Sequence, residues 1–355
     1  MIRGPGSTRV HRVKRLRRTV AAAVDRRHED SDVLAELRSV VAAQAAELER
    51  LRAKLEHHNA WLEDHDRALR DGDARTTTVE AKQEAIGSRQ EALDGWLGGH
   101  DTAFEGLHLR TGRLEAARAV QTFTQWLEPL ELAATPKISV VLPTHDRAGL
   151  LPRAIESVLA QRYENWELIV VDDASSDATP KVLAALEDPR IRTIRVAHNR
   201  VSAARNAALA VATGDAVAYL DDDNTMHPLW LKALAWAFGE HPEITVAYGA
   251  YVIDDVEGLP ELLLKPYSRE ALLKENLADT GAVAHRAGLT EARFDESLVE
   301  MDDWDLLLSL TADRDPLVVP AISCFYSTAA PDRLSHGPSH EADSAAVRRK
   351  HGESP

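Results

Sequence analysis

The chain of 355 residues holds a single cysteine, Cys324. One thiol forms no intramolecular disulfide, so nothing in the sequence asks for an oxidising compartment, and a cytoplasmic location is expected. Long apolar runs are missing too. No stretch reaches the about 20 apolar residues of a membrane-spanning helix. The run Val20-Ala21-Ala22-Ala23-Val24 meets Asp25-Arg26-Arg27 before it can form the apolar core of about 7–15 residues that a secretory signal needs. Any membrane contact is therefore expected to be peripheral. Positive charge is also scarce: 42 Lys and Arg face 57 Asp and Glu, a net −15, which argues against a nucleic-acid partner held by bulk charge. The exception is residues 1–30, where nine basic residues outnumber three acidic ones. Finally, no GxGxxG or GxxxxGK[ST] follows any apolar run, which removes the main support for a dinucleotide fold or a P-loop.

The chain does have 44% apolar residues, enough for a sizeable core. From Leu34 the apolar residues recur every seven, at Leu34, Val41, Leu48, Leu55, Leu62 and Leu69, with Leu37 and Leu51 three residues after two of them. That spacing is an a/d seam, and the charged Glu47, Glu49, Arg50, Arg52 and Lys54 fill the outer positions. A coiled coil and a homo-oligomer are expected. Gln44, His58 and His65 stand at d positions, where polar residues set register at some cost in stability. Past Asp71-Gly72-Asp73 the frame weakens, and glycines from Gly87 to Gly112 predict breaks. Pro129 and Pro136 mark a linker.

After Pro136 the pattern changes to short apolar runs alternating with amphipathic segments. Strands are predicted at 138–142, 168–171, 191–196 and 216–220, and helices near 150–159, 179–186 and 201–212. Continuous apolar strands separated by helices predict a parallel sheet covered on both faces. Ligands of such sheets bind beyond the carboxyl ends of the strands. Those ends read Pro143-Thr144-His145-Asp146, Asp172-Asp173 and Asp221-Asp222-Asp223-Asn224. A rim of carboxylates suits Mg²⁺ or Mn²⁺ and the diphosphate such an ion carries. Asp177 before Thr179-Pro180 reads as a loop and helix start.

The runs KISVVLPTHDRAGLLPRAIESVLAQRYENWELIVVDDASSDAT at 137–179 and ARNAALAVATGDAVAYLDDDNTMHPLWL at 204–231 resemble the nucleotide-binding half of family 2 glycosyltransferases with the glycosyltransferase-A fold. The resemblance spans about 137–335. It implies a Rossmann-like, mostly parallel sheet with helices on both faces, here preceded by a helical coiled coil. It also implies roles. Pro143, Thr144 and His145 match the loop at the nucleobase and ribose, and Asp173 the acid that accepts a hydrogen bond from the base. Arg205 matches a basic residue near the nucleotide. Asp221 and Asp223 match the acids of the DxD motif, the second as the direct metal ligand, with Asp222 in the variable middle.

Farther on, Glu300-Met301-Asp302-Asp303-Trp304-Asp305 resembles the family's acidic motif at a helix start, with Asp303 at the catalytic base and Asp302 in place of the customary Glu. The same residues read as a capped helix, Asp302 at the N-cap and Asp305 three residues on. The resemblance implies an inverting transfer of a sugar from a nucleoside diphosphate to an acceptor activated by Asp303. The acceptor classes left open are a glycan, a lipid-linked glycan, a peptide and a metabolite, and 258–276 is expected to shape the acceptor pocket. His285, His336 and Arg333 are further candidates for a metal or phosphate contact. The expected organisation is a basic arm 1–30, a coiled-coil region 31–120, a linker 121–136, a catalytic domain 137–335 and a disordered tail 336–355. Two other readings compete: a coiled-coil scaffold that binds sugar nucleotides without turnover, and a nucleotidyltransferase of similar topology. The intact acids oppose the first, and the missing glycine-rich basic loop after strand one opposes the second.

Overall fold

The computed structural model describes residues 42, 46, 49–63, 86–91, 110–197, 200–254, 260–327 and 339–352. Its contacts divide the chain into two units, 1–112 and 113–355. In the first unit residues 49–63 are helical, with Leu51, Leu55, Asn59 and Leu62 half-buried and their neighbours exposed. His58, placed in the seam by the heptad frame, is exposed and stacks on Trp61 at 5.8 Å. The basic arm and the seam positions Leu34, Leu37, Val41, Gln44, Leu48, His65 and Leu69 lie outside the described residues.

The second unit is built on one sheet of nine strands among the described residues. Strands β1 (Ile138–Thr144), β2 (Trp166–Asp173), β3 (Ile191–Val196) and β4 (Ala216–Tyr219) are mutually parallel. Every residue of β1 and β4 is buried, as an unbroken apolar strand requires when both faces are covered. At the edge, β3 instead exposes Arg192, Thr193 and Arg195, and charge on an edge strand discourages pairing with another sheet. The helix Leu151–Leu159 buries Leu151, Ala154, Ile155 and Val158, the helical spacing seen in the sequence.

Beyond β4 the sheet becomes mixed. β8 (Val283–Arg286) runs antiparallel to β4, and β6 (Val246–Asp254) antiparallel to β8. β9 (Leu317–Ser327) lies parallel to β6, β5 (Thr225–Met226) is antiparallel to β9, and β7 (Glu261–Leu263) is antiparallel to β6. The helix Trp230–Glu240 covers this half, and its buried Trp230 explains Gly249 in β6. A Cβ there would sit 2.6 Å from the indole.

Two boundaries differ from expectation. Residues 113–127 remain helical well past 120, where a linker was expected to begin, because Val120, Phe123 and Leu127 are buried. Phe123 and Trp126 meet Trp236 at 5.0 and 5.6 Å, edge to face. The tail expected to be disordered carries the helix His340–His351, whose Val347 is fully buried in the same apolar cluster as Trp304. Its composition is polar, but Val347 and Ala346 on the apolar cluster and the contacts of Lys350 with Asp295 and Asp305 and of His351 with Asp305 dock it.

Candidate active site

The carboxyl ends of β1, β2 and β4 open into a cleft of about 1240 Å³. Pro143, Thr144, His145, Asp173, Arg205, Asp221, Asp222, Asp223, Asp302 and Asp303 all line it, so the strand-end residues and the distant acidic motif converge. The β1 loop is braced. His145 Nδ1 donates to the Asp173 carbonyl at 2.6 Å, the tautomer a carbonyl demands. Asp146, at φ 51°, accepts the Ser176 and Asp177 amides at 2.6 and 3.1 Å. Those backbone donors hold its carboxyl below the usual range. Asp177 does the loop work expected of it, accepting from Thr179 N at 2.8 Å and Ala148 N at 3.0 Å. Asp172 turns away from the chemistry: Arg195 and the Ser175 amide take its carboxylate.

Arg205 is the basic residue that the resemblance sets near the nucleotide. It lines the cleft, but its guanidinium is buried and bridges two acids, Nη1 to Asp302 Oδ2 and Nη2 to Asp221 Oδ1, each at 2.7 Å. These partners hold it charged despite burial. Its work is to tie the β4 rim to the acidic motif. Asp302 is likewise not the helix cap. Met301 occupies that position in the left-handed conformation, φ 53°, without a side-chain cap, and Asp302 is the first helical residue, accepting from Arg205 and from Ser202 Oγ at 2.7 Å.

Asp303 therefore faces the cleft. Its Oδ1 accepts the Trp304 amide at 2.7 Å and its Oδ2 the Asn276 side-chain amide at 2.8 Å. Burial, then the adjacent Asp302, pushes it up to about 7. Asp222, bonded by Thr144 Oγ1 at 2.6 Å, is also pushed up to about 7 by burial and by Asp223 and Asp221. A further acid escaped the sequence reading. Asp279 lines the cleft, accepts the Gly281 amide at 2.8 Å, and is pushed up to about 8 by burial and by Asp221 and Asp303. Nothing in Ala278-Asp279-Thr280 marks it; only the antiparallel half of the sheet brings it here.

The cleft thus holds more negative charge than it readily accommodates. Among the described residues no three of His, Cys, Asp and Glu form a ready-made metal cage. Asp221 and Asp223 on the rim still fit the pattern of Mg²⁺ and Mn²⁺, which take one or two carboxylates and complete their shell with water and substrate phosphate.

His285 is removed from the candidates. It lies fully buried in β8, with Nδ1 donating to the Arg286 carbonyl at 2.8 Å and Nε2 accepting from Tyr219 Oη at 2.7 Å. Burial lowers it to about 4, so it is a neutral packing residue. Arg333 and His336 lie outside the described residues. His340, absent from the sequence candidates, lines the cleft from the last helix.

The sequence profile described as Glycosyl transferase family 2 matches residues 139–296. WcaA of Escherichia coli (strain K12), by name a colanic acid biosynthesis glycosyl transferase, is 32% identical over 194 residues, 50% of this chain and 67% of its own. The chain belongs to glycosyl transferase family 2. This family 2 enzyme is also 32% identical over 211 residues to the succinoglycan biosynthesis protein ExoO of Rhizobium meliloti (strain 1021), covering 52% of the chain and 59% of ExoO. It is 29% identical to WfgD of Escherichia coli over 53% of the chain and 73% of that relative. In fold it is similar to S. aureus TarS crystallised with UDP-GlcNAc, at a TM-score of 0.53 and 18% identity over 61% of this chain and 66% of that one. The profile ends before the helix Asp302–Leu310, so the family 2 assignment rests on the β1 to β8 region and the place of Asp303 on geometry.

Proposed function

We propose that this glycosyltransferase moves a sugar from a nucleoside diphosphate sugar to a hydroxyl of a glycan acceptor in one inverting displacement. The observation that carries the reading is the cleft itself. Asp173, the Pro143-Thr144-His145 loop, Asp221, Asp223 and Asp303 all line it, which supports a donor held at the strand ends beside an acceptor activated by Asp303. Asp303 takes the acceptor proton as the acceptor oxygen bonds to the anomeric carbon, and the bond from that carbon to the diphosphate oxygen breaks. Its raised value suits it to that task near neutral pH. Asp221 and Asp223 would hold a Mg²⁺ or Mn²⁺ ion, which would supply charge stabilisation for the departing diphosphate. Arg205 bridges Asp221 and Asp302, which ties the rim to the helix that carries Asp303.

A UDP-sugar is favoured by the names of two similar proteins, the UDP-Glc-dependent glucosyltransferase WfgD and TarS with UDP-GlcNAc. A glycan acceptor is favoured by the polymers named for WcaA and ExoO. The seam from Leu34 to Leu69 supports homo-oligomers, and the basic residues of 1–30 support a cytoplasmic protein touching an anionic membrane surface. No described helix is long and apolar enough to cross a membrane.

The test is a panel of nucleotide sugars with Mg²⁺, Mn²⁺ or chelator, read by thermal stabilisation and by release of nucleoside diphosphate. A UDP-sugar should stabilise the protein only with metal. Stabilisation without UDP release, at any pH from 6 to about 9, would favour the binding scaffold instead.

A further inference from the structure

The mechanism proposed above uses Asp303 but leaves open what aims it. A side chain at a helix start has several rotamers, and a base must meet the acceptor proton within hydrogen-bond reach. Asp303 is gripped at both oxygens. The Trp304 amide holds Oδ1, and Asn276 Nδ2 holds Oδ2 at 2.8 Å. Asn276 follows the helix Arg269–Lys274, where Glu275 has already turned to extended backbone, φ −149°. One contact orients its side chain and one holds its backbone. Oδ1 accepts from Ala278 N at 3.3 Å, and its carbonyl accepts from Lys265 Nζ at 3.3 Å. Because the amide oxygen faces a backbone donor, the amide nitrogen must face the carboxylate.

We propose, on the reading of Asp303 as general base, that Asn276 is its positioning residue: the side-chain amide aims the carboxylate into the cleft and favours its ionised form. The charged and titratable groups around Asp303 make that contribution consequential. Asp302 on its own helix, Asp221 beyond β4, Asp279 before the turn Thr280–Ala282 and Tyr251 on β6 surround it, with Arg205 the cation that offsets them. Most of these neighbours oppose a second negative charge. An amide donor to the carboxylate opposes them, so its loss should drive Asp303 toward the protonated form.

Infrared titration of the carboxyl groups in the full chain tests this, with Asp303 assigned in each background by subtracting the matching Asp303→Asn protein. The Asp303 midpoint should stand near 7 in the wild type. It should rise by about one pH unit in Asn276→Ala, and further in Asn276→Asp, which keeps the shape and the acceptor for Ala278 N but sets a carboxylate against a carboxylate. Release of UDP from UDP-glucose with water in the acceptor place should fall about fivefold at pH 7 in Asn276→Ala, and its acid limb should follow the midpoint. UDP binding should stay unchanged. A purely structural Asn276 gives another pattern: Asn276→Asp like wild type, Asn276→Ala impaired, and no midpoint moved. Unmoved midpoints with Asp303→Asn inactive overturn the role of Asn276 alone. Unchanged UDP release in Asp303→Asn overturns the general base, and the proposal with it.

Discussion

The two halves of the sheet present their functional groups by different means. In the β1–β4 half each group sits directly at a strand end: Thr144 closes β1, Asp173 closes β2, and Asp221 follows β4 within two residues. Parallel pairing brings those ends to one edge, and each motif is contiguous in sequence. In the other half nothing is carried by a strand end alone. Asp303 comes from a helix begun by a left-handed Met301, Asn276 from a short connection, and Asp279 from a single turn. That side is held together by side chains reaching between elements far apart in the chain. It is also braced from behind. Asp343 in the last helix accepts the Val299 and Glu300 amides, both at 2.8 Å, and Lys350 and His351 close on the buried Asp305, each at 2.8 Å. The strand-end edge, built of backbone ladders, should thus be robust in position, while the wall that carries Asp303 should depend on individual side chains.

The contrast can be broken most sharply at the rim. Asp223→Ala should remove turnover, by about 10³-fold, and abolish the part of UDP-sugar binding that depends on divalent metal, with folding intact. Metal-dependent binding that survives in that variant would place the ion elsewhere.

Asp303→Asn comes next. Transfer should drop about 10²-fold or more while donor affinity barely moves, because a general base at Asp303, as proposed, would touch acceptor rather than nucleotide. In the wild type, activity should rise with pH through about 7 as Asp303 ionises. Stability should run the other way. A carboxyl whose folded value lies above its unfolded one favours the folded state while protonated, so the wild type loses stability from about pH 4 through about 7, and Asp303→Asn loses less. Melting temperatures of both proteins at pH 5 and 8 check the sign.

A smaller effect is expected from behind the wall. Asp343→Ala strands two backbone donors, for a loss of about 1–3 kcal/mol by denaturant unfolding. If the brace positions the base, kcat should fall further than UDP binding does, and Asp343→Asn should recover part of it. Equal losses in both would reduce the last helix to general support.

The smallest effect should come from His285, inside the sheet. His285→Gln should leave metal-dependent transfer at pH 7 within about twofold and cost about 1 kcal/mol through the Tyr219 hydroxyl. Its folded value lies below its ordinary one, so the stability it allows is present above about 6.5 and lost as pH falls toward about 4. The Gln variant should be the less acid-sensitive of the two. Loss of metal-dependent turnover would return His285 to the site.

Sequence alone determined the parallel half, the glycosyltransferase resemblance and the acids at 173, 221, 223 and 303, because apolar strands, their polar ends and the DxD and acidic motifs are local patterns. Helix starts, with Thr179 and Arg200 beginning the observed helices, were equally close to expectation. Tertiary structure alone decided what each acid touches. That Asp302 is a buried partner of Arg205 and Ser202 rather than a cap, that Asn276 and Asp279 reach the cleft, that His285 does not, and that the polar tail folds against Trp304 all depend on contacts across 27 to 100 residues of chain. No local period encodes such contacts. They exist because antiparallel pairing of β8 and β6 beyond β4 folds the later segments back over the strand ends, and a buried charge in that fold is stable only where a distant partner meets it.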